Sequence, residues 1–255
     1  MVSGQTSRGT DGRPHRYIDA EACVGCGRCV TICPMGAITR GPDKKASIDP
    51  DECVECGVCT RSRICSQEAI RRGHLTWPRL LREIYSDPLA KHEGTEVYGR
   101  GTEGIKTNDS QDFYRRGNMG VFVELGRPVL GTRFTDVERA VKTFKSHGFD
   151  VAPHNPVAAL IDDPQTGTLK PDVLPEKVMS CLVEFLVPDD AAAELLEVVE
   201  ELGREVQTVF NVCVAVRADE AGGTRLHELF GPAVFNLPNV KVNIGMAQGI
   251  VKEVA

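Results

Sequence analysis

From residue 120 onward, apolar residues recur at spacings that predict alternating strands and helices. Val121 to Leu125 reads as a strand. Thr135-Asp136-Val137-Glu138 has the form of a capping box, and Val137, Ala140, Val141 and Phe144 then share one face of a helix stopped at Gly148. Val157 to Ile161 is a further candidate strand. Ser180 to Val187 predicts a strong strand, Asp189 to Glu205 a helix with Leu195, Val199 and Leu202 inward, and Thr208 to Val216 another strong strand. A short helix at Arg225 to Phe230 and a strand at Val240 to Met246 finish the chain. This order permits a split β-α-β sheet with helices on one side. The expectation for residues 120–255 is an α+β domain with a mainly antiparallel sheet, ferredoxin-like or ACT-like in outline.

Residues 73–119 lack that rhythm and read as a linker with little core. Pro78 opens one or two amphipathic turns carrying Leu80, Leu81, Ile84 and Tyr85, ending near Asp87-Pro88. The stretch EVYGRGTEGIKTND then contains Gly99-x-Gly101-x-x-Gly104. A dinucleotide fingerprint needs a buried strand before it and a helix opening at its end, and neither pattern is present. The loop reads as an ordered connector, with Arg100 and Lys106 available to an anion.

The N-terminal region is organised by repetition. YIDAEACVGCGRCV (17–30) aligns with SIDPDECVECGVCT (47–60) at a fixed offset of thirty, and the endings ICPMGAITR and ICSQEAIRR align after a two-residue insertion. Each copy predicts a short strand (Tyr17, Ile18; Ser47, Ile48), a cysteine loop, and a helical turn ending in Ala-Ile (Ala37, Ile38; Ala69, Ile70).

Cysteine spacing narrows the chemistry. Eight of the ten cysteines fall within residues 23–65. A structural zinc site has no use for a third cysteine three residues after a C-x2-C pair, whereas soft thiolates at C-x2-C-x2-C suit an iron–sulfur cluster. The run Cys23, Cys26, Cys29, Cys33, Pro34 is the C-x2-C-x2-C-x3-C-P pattern.

On these motifs residues 15–72 resemble a bacterial-type two-cluster 4Fe-4S ferredoxin. The resemblance implies one cluster on Cys23, Cys26, Cys29 and Cys65, and the other on Cys53, Cys56, Cys59 and Cys33, so that the fourth ligand of each comes from the other half. The second copy departs from the pattern: five residues, Thr60 to Ile64, separate Cys59 from Cys65, and Ser66 replaces the proline. Loss of Cys65 as a ligand would leave a 3Fe-4S centre. Gly25, Gly27 and Gly57 suit a backbone that bends around a cluster, since glycine takes positive φ without strain. Arg28, Arg61, Arg63, Arg71 and Arg72 would stabilise the reduced state, dock an acidic partner, or lie solvated.

Composition sets the remaining limits. A chain of 255 residues, 41% of them apolar, accommodates two domains and at least one core. The organisation expected is a flexible N-terminus (1–14), the two-cluster domain (15–72), the linker (73–119) and the α+β domain (120–255). No apolar run reaches the roughly 18 to 20 residues of a membrane span, and MVSGQTSRGTDGRPHRY does not read as a signal peptide. A cytoplasmic location is expected, where reduced thiols favour metal ligation over disulfides. Residues 1–72 carry 11 Lys and Arg against 9 Asp and Glu, and residues 73–255 carry 19 against 27, so neither region presents the positive face nucleic acid requires.

No nucleophile elbow, zinc-protease helix or phosphate loop is present. The function expected is low-potential electron transport, of the kind anaerobic metabolism uses, to or from a partner oxidoreductase. Two alternatives stay open: a redox or metabolite sensor with an ACT-like domain, and a subunit contributing part of an active site. The C-terminal domain is the surface expected to serve a homo-oligomer. Cys181 and Cys213 sit on expected strands as small hydrophobes. Glu184 and Asn211 fit a pocket, an edge or a solvent-facing position, and His147, His154 and His227 show no metal-ligand spacing.

Overall fold

The computed structural model describes residues 13–91, 98, 117–127, 130–217, 220 and 226–230. In the N-terminal domain β1 (Tyr17–Ile18), α1 (Arg28–Ile32) and β2 (Ile38–Arg40) come from the first repeat; β3 (Ala46–Ile48), α2 (Val58–Arg61) and β4 (Ile70–Arg71) come from the second. The strands pair across the repeats. β1 runs antiparallel to β4, with Ile18 opposite Ile70, and β2 runs antiparallel to β3, with Ile38 opposite Ile48. The Ala-Ile dipeptides expected to end helical turns instead open strands: each isoleucine is buried against Ile18, Ala46 and the cysteines, and strand pairing satisfies its backbone.

The helix expected after Pro78 forms as α3 (Leu80–Ser86), ending at Asp87. It is not a free connector. Leu81 and Tyr85 are 4% and 2% exposed within the C-terminal core, and Tyr85 meets Phe134 edge-to-face at 5.4 Å. The Gly99-x-Gly101-x-x-Gly104 loop lies outside the described residues.

The C-terminal domain is built from β5 (Asn118–Leu125), β6 (Thr132–Arg133), α4 (Phe134–Ser146), β7 (Ile161–Asp163), β8 (Thr168–Leu169), β9 (Lys177–Val178), β10 (Cys181–Pro188), α5 (Ala192–Glu205), β11 (Phe210–Ala215) and α6 (Leu226–Phe230). Its main sheet has the order β10-β5-β11, with β5 antiparallel to both neighbours. β10 and β11 are therefore parallel and enclose β5, a split β-α-β unit closed through α5. The fold is α+β with antiparallel sheets behind an N-terminal ferredoxin-type segment.

Alternation of side chains along the strands puts Met119, Val121, Val123, Leu125, Val183 and Phe185 on the face covered by α4 and α5. Phe144 of α4 stacks on Phe185, ring centroids 3.9 Å apart. The other face carries Phe122, Leu182, Glu124 and Glu184.

Two local expectations are corrected. The helix α4 starts at Phe134, with Arg133 as an N-cap that makes no side-chain capping bond. Glu138, the supposed box partner, instead accepts from the Leu169 backbone N–H. Residues Pro156–Leu160 form a 3-10 helix in place of a strand, because Pro156 pre-sets the first turn and Asn155 caps it through the Val157 N–H. The strand expected at Val240 to Met246 lies outside the described residues. Among the described residues no helix is long and apolar enough to cross a membrane.

Candidate metal centres

Each cysteine loop is shaped by left-handed backbone at the third residue of its C-x2-C pair. In the first loop Gly25 holds φ +72, and a Cβ there would lie 2.9 Å from the Lys44 carbonyl oxygen, so glycine is required. Glu55 holds the same slot in the second loop with φ +56. A non-glycine residue is uncommon in that region, and here interactions hold it in place. The Glu55 carboxylate, fully buried, accepts from the Arg16 backbone N–H and from the Arg79 guanidinium at 2.8 Å.

The eight thiols separate into two groups of four. One cavity of about 330 Å³ is lined by Cys33, Cys53, Cys56 and Cys59 together with Arg16. A second, of about 380 Å³, is lined by Cys23, Cys26, Cys29 and Cys65 together with Arg28. Each group draws three cysteines from one repeat and the fourth from the other. Among the described residues no three His, Cys, Asp or Glu side chains converge closely enough to hold one metal ion; the thiols instead ring the two cavities.

The surroundings of the two cavities differ. Cys26 is exposed and its neighbour Val24 is 65% exposed, whereas Val54 and Glu55 beside the second pair are 1% and 0% exposed. Burial pushes the Cys53 thiol up to about 12, assisted by the nearby Glu55 carboxylate. Burial likewise raises the Cys29, Cys56 and Cys59 thiols. Bare thiolates are thus disfavoured in these sites, and adjacent metal charge would reverse the preference. Four soft sulfur donors around each cavity fit a 4Fe-4S cluster, which would supply one-electron transfer.

Helix α3 braces the second loop against the C-terminal domain. The Arg82 guanidinium donates to the carbonyls of Pro50, Asp51 and Cys53, each at 2.9 Å, and pairs with Glu176 ahead of β9. Lys177 pairs with Glu52, and the Met179 N–H donates to Ser86 Oγ. Arg61 bonds Asp87 and the Cys56 carbonyl.

Arg71 and Arg72 pair with Asp19 and Glu83, while Arg28 and Arg63 are exposed. Arg16, Glu55, Arg79 and Arg82 escaped the sequence reading. The available signal was a charged residue at 55 where the first copy has Gly25.

In the C-terminal domain Glu184 lies on β10, an end strand of the main sheet, but not in solvent: it is fully buried and bonded to His154 Nε2 at 2.8 Å. His147 bridges Glu194 and Glu201. Asn211 is exposed and donates to Glu124. Cys181 is buried, as expected of a small hydrophobe, but Cys213 is exposed, because it lies on the sheet face away from α5. The His227 side chain lies outside the described residues.

Thiol chemistry and topology together define an iron–sulfur, electron-transferring domain. The 4Fe-4S binding domain family matches residues 16–39. The chain is 39% identical over 56 residues to a protein named "Ferredoxin 7Fe" from Hydrogenibacillus schlegelii, covering 21% of this chain and 68% of that protein. The chain belongs to the ferredoxin family. It is also 36% identical over 55 residues to pyruvate synthase subunit PorD of Methanothermobacter marburgensis, covering 22% of this chain and 60% of that subunit. A match of 47% identity over 121 residues joins 48% of this chain to 31% of the isethionate sulfite-lyase activating enzyme of Desulfovibrio desulfuricans. The chain thus spans less than two thirds of the length of these last two relatives. No solved structure matches the chain significantly.

Proposed function

We propose that this protein carries two 4Fe-4S clusters and passes low-potential electrons to or from a partner oxidoreductase in the cytoplasm. Residues 15–72 are the cluster domain, and α3 with residues 120–255 forms the partner-selecting domain. One cluster is held by Cys23, Cys26, Cys29 and Cys65, the other by Cys33, Cys53, Cys56 and Cys59. The observation that carries this reading is that four thiols line each of two cavities, with one thiol in each drawn from the opposite repeat. The match to a pyruvate synthase subunit supports an oxidoreductase as partner. Iron and sulfide analysis of anaerobically purified protein tests it. Eight of each per chain is the expected result; seven irons would mean that one ligand, Cys65 first, leaves its corner open; two zinc ions would end the reading.

A second reading is favoured by the activating-enzyme match, which reaches 48% of this chain. In it the clusters feed an active site to which the C-terminal domain contributes. Single-turnover oxidation of the reduced protein by a co-purifying subunit, without added carrier, separates this from a free carrier.

A further inference from the structure

The two cavities are related by the internal duplication, and at one buried position of their lining that relation is broken by a full charge. Ile18 and Ile48, thirty residues apart, each line one cavity; so do the paired Cys33 and Cys65, Ala37 and Ala69, and Ile38 and Ile70. Arg16 and Ala46 occupy the next equivalent position, and both line cavities. An arginine therefore faces Cys33, Cys53, Cys56 and Cys59 where a methyl group faces the other four thiols.

Arg16 is only 3% exposed. Its Nη1 donates to Thr60 Oγ1 at 2.5 Å, and that hydroxyl lies 4.0 Å from Cys59 Sγ. The nearest anion is the fully buried Glu55, 3.5 Å from Arg16 Nε, and Glu55 is shared with Arg79. Two cations against one anion leave a net positive charge beside this cavity. Arg28, the charged residue lining the other cavity, is exposed, so water screens it.

We propose that Arg16 selectively raises the reduction potential of the cluster held by Cys33, Cys53, Cys56 and Cys59, making the two clusters electronically unequal. The inference rests on the two-cluster reading above. An electron entering a cluster adds one negative charge, and a desolvated cation at the cavity wall stabilises that charge more than the oxidised state. Burial alone would act in the opposite direction, since a low-dielectric site disfavours added charge. Arg16 offsets that effect at the buried site, where it is largest. Electrons then favour the inner cluster more than burial alone would allow, while the exposed side at Cys26 remains open to an outside redox partner.

The test is an anaerobic potentiometric titration of the full chain, followed by electron paramagnetic resonance, with wild type, Arg16→Gln, Arg16→Lys and Glu55→Gln. Wild type should show two one-electron couples. In Arg16→Gln one couple should lose at least tenfold in its reduction constant, about 59 mV more negative, with the other unmoved. Arg16→Lys, which keeps the charge, should recover most of that shift. Glu55→Gln, which removes the opposing charge, should move the same couple positive. Cys26→Ser assigns the couples by altering the one that Arg16→Gln leaves alone.

The proposal is overturned if Arg16→Gln moves neither couple, moves both equally, or moves the couple that Cys26→Ser perturbs. A Lys variant as displaced as the Gln variant would also overturn it, since the role would then be structural. Should Arg16→Gln fail to assemble the cluster, Glu55→Gln decides, and an unmoved or more negative couple refutes the idea. A single couple in wild type is a different failure: it refutes the two-cluster reading itself.

Discussion

Replacing Arg82 by methionine should destabilise both domains together. Arg82 is 3% exposed, and its guanidinium joins three carbonyls of the second cysteine loop to the Glu176 carboxylate of the C-terminal domain. Methionine fills a similar length of the apolar path but donates nothing. The change leaves the Glu176 carboxylate, 12% exposed, without this partner and removes a donor shared by three carbonyls. Breaking a buried pair by deleting one partner costs about 3–5 kcal/mol. The three carbonyl bonds are not additive with that figure, because one guanidinium makes them and the ion pair as a single network. Set against a typical total stability of about 5–15 kcal/mol, the loss is large, and for a chain of this size it corresponds to a fall of roughly 6–20 °C in Tm. The assay is anaerobic thermal unfolding of the iron-loaded protein, followed at once by far-ultraviolet circular dichroism and by visible cluster absorbance. Both transitions should fall together, and Arg82→Lys should recover part of the loss by keeping one donor on Glu176. A fall below about 1 kcal/mol would refute the bracing role. So would a cluster transition that stays in place while the dichroism transition drops.

Cys33→Ala should remove the signal of the cluster proposed on Cys53, Cys56 and Cys59 and leave its neighbour; loss of only the Cys23, Cys26 and Cys29 cluster would reverse the ligand assignment, as read by electron paramagnetic resonance. Tyr85→Ala should cost about 3–5 kcal/mol in chemical denaturation, since Tyr85 is 2% exposed in the C-terminal core; a cost under 1 kcal/mol would return α3 to the status of a connector. The His147 pKa is raised by the hydrogen bonds its ring donates, first to Glu194 and then to Glu201. Its stabilisation is therefore fully present below the unfolded value, about 6.5, and lost as pH rises through the higher folded value. His147→Gln should thus be less stable than wild type by about 0.5–1 kcal/mol at pH 5.5 and equal to it at pH 9; a difference that grows with pH would contradict this. Gly25→Ala should lower cluster occupancy on reconstitution, because a Cβ at φ +72 meets the Lys44 carbonyl oxygen; normal occupancy would show that the loop can shift.

Much of this was legible in the amino-acid order because it is local. The C-x2-C-x2-C spacing sets three thiols around one bend, and the thirty-residue offset shows that the unit occurs twice. The faces of α4 and α5 follow from helical periodicity, and Val137, Ala140, Val141 and Phe144 are buried as that periodicity requires. The alternation in β5 and β10 similarly assigns Val121, Val123, Val183 and Phe185 to one side of a sheet. Where local signals compete, the reading failed: Pro156 and Asn155 outweighed the apolar run at Val157, and the apparent capping box gave way to an earlier start at Phe134.

Tertiary structure alone decided what lies far apart in sequence. Arg82 and Glu176 are 94 residues apart, and Arg16 and Glu55 are 39 apart, so no spacing rule joins them. Leu81 and Tyr85 look like one amphipathic turn in a polar connector, and only the core they enter shows which domain α3 belongs to. For the thiols the resemblance to two-cluster ferredoxins already implied the two sets of four, and the pairing of distant strands is the physical reason for them: β1 pairs with β4 and β2 with β3, which folds each half across the other. Periodicity is a property of neighbours along the chain, whereas charge burial and cavity lining arise only when distant segments exclude water together.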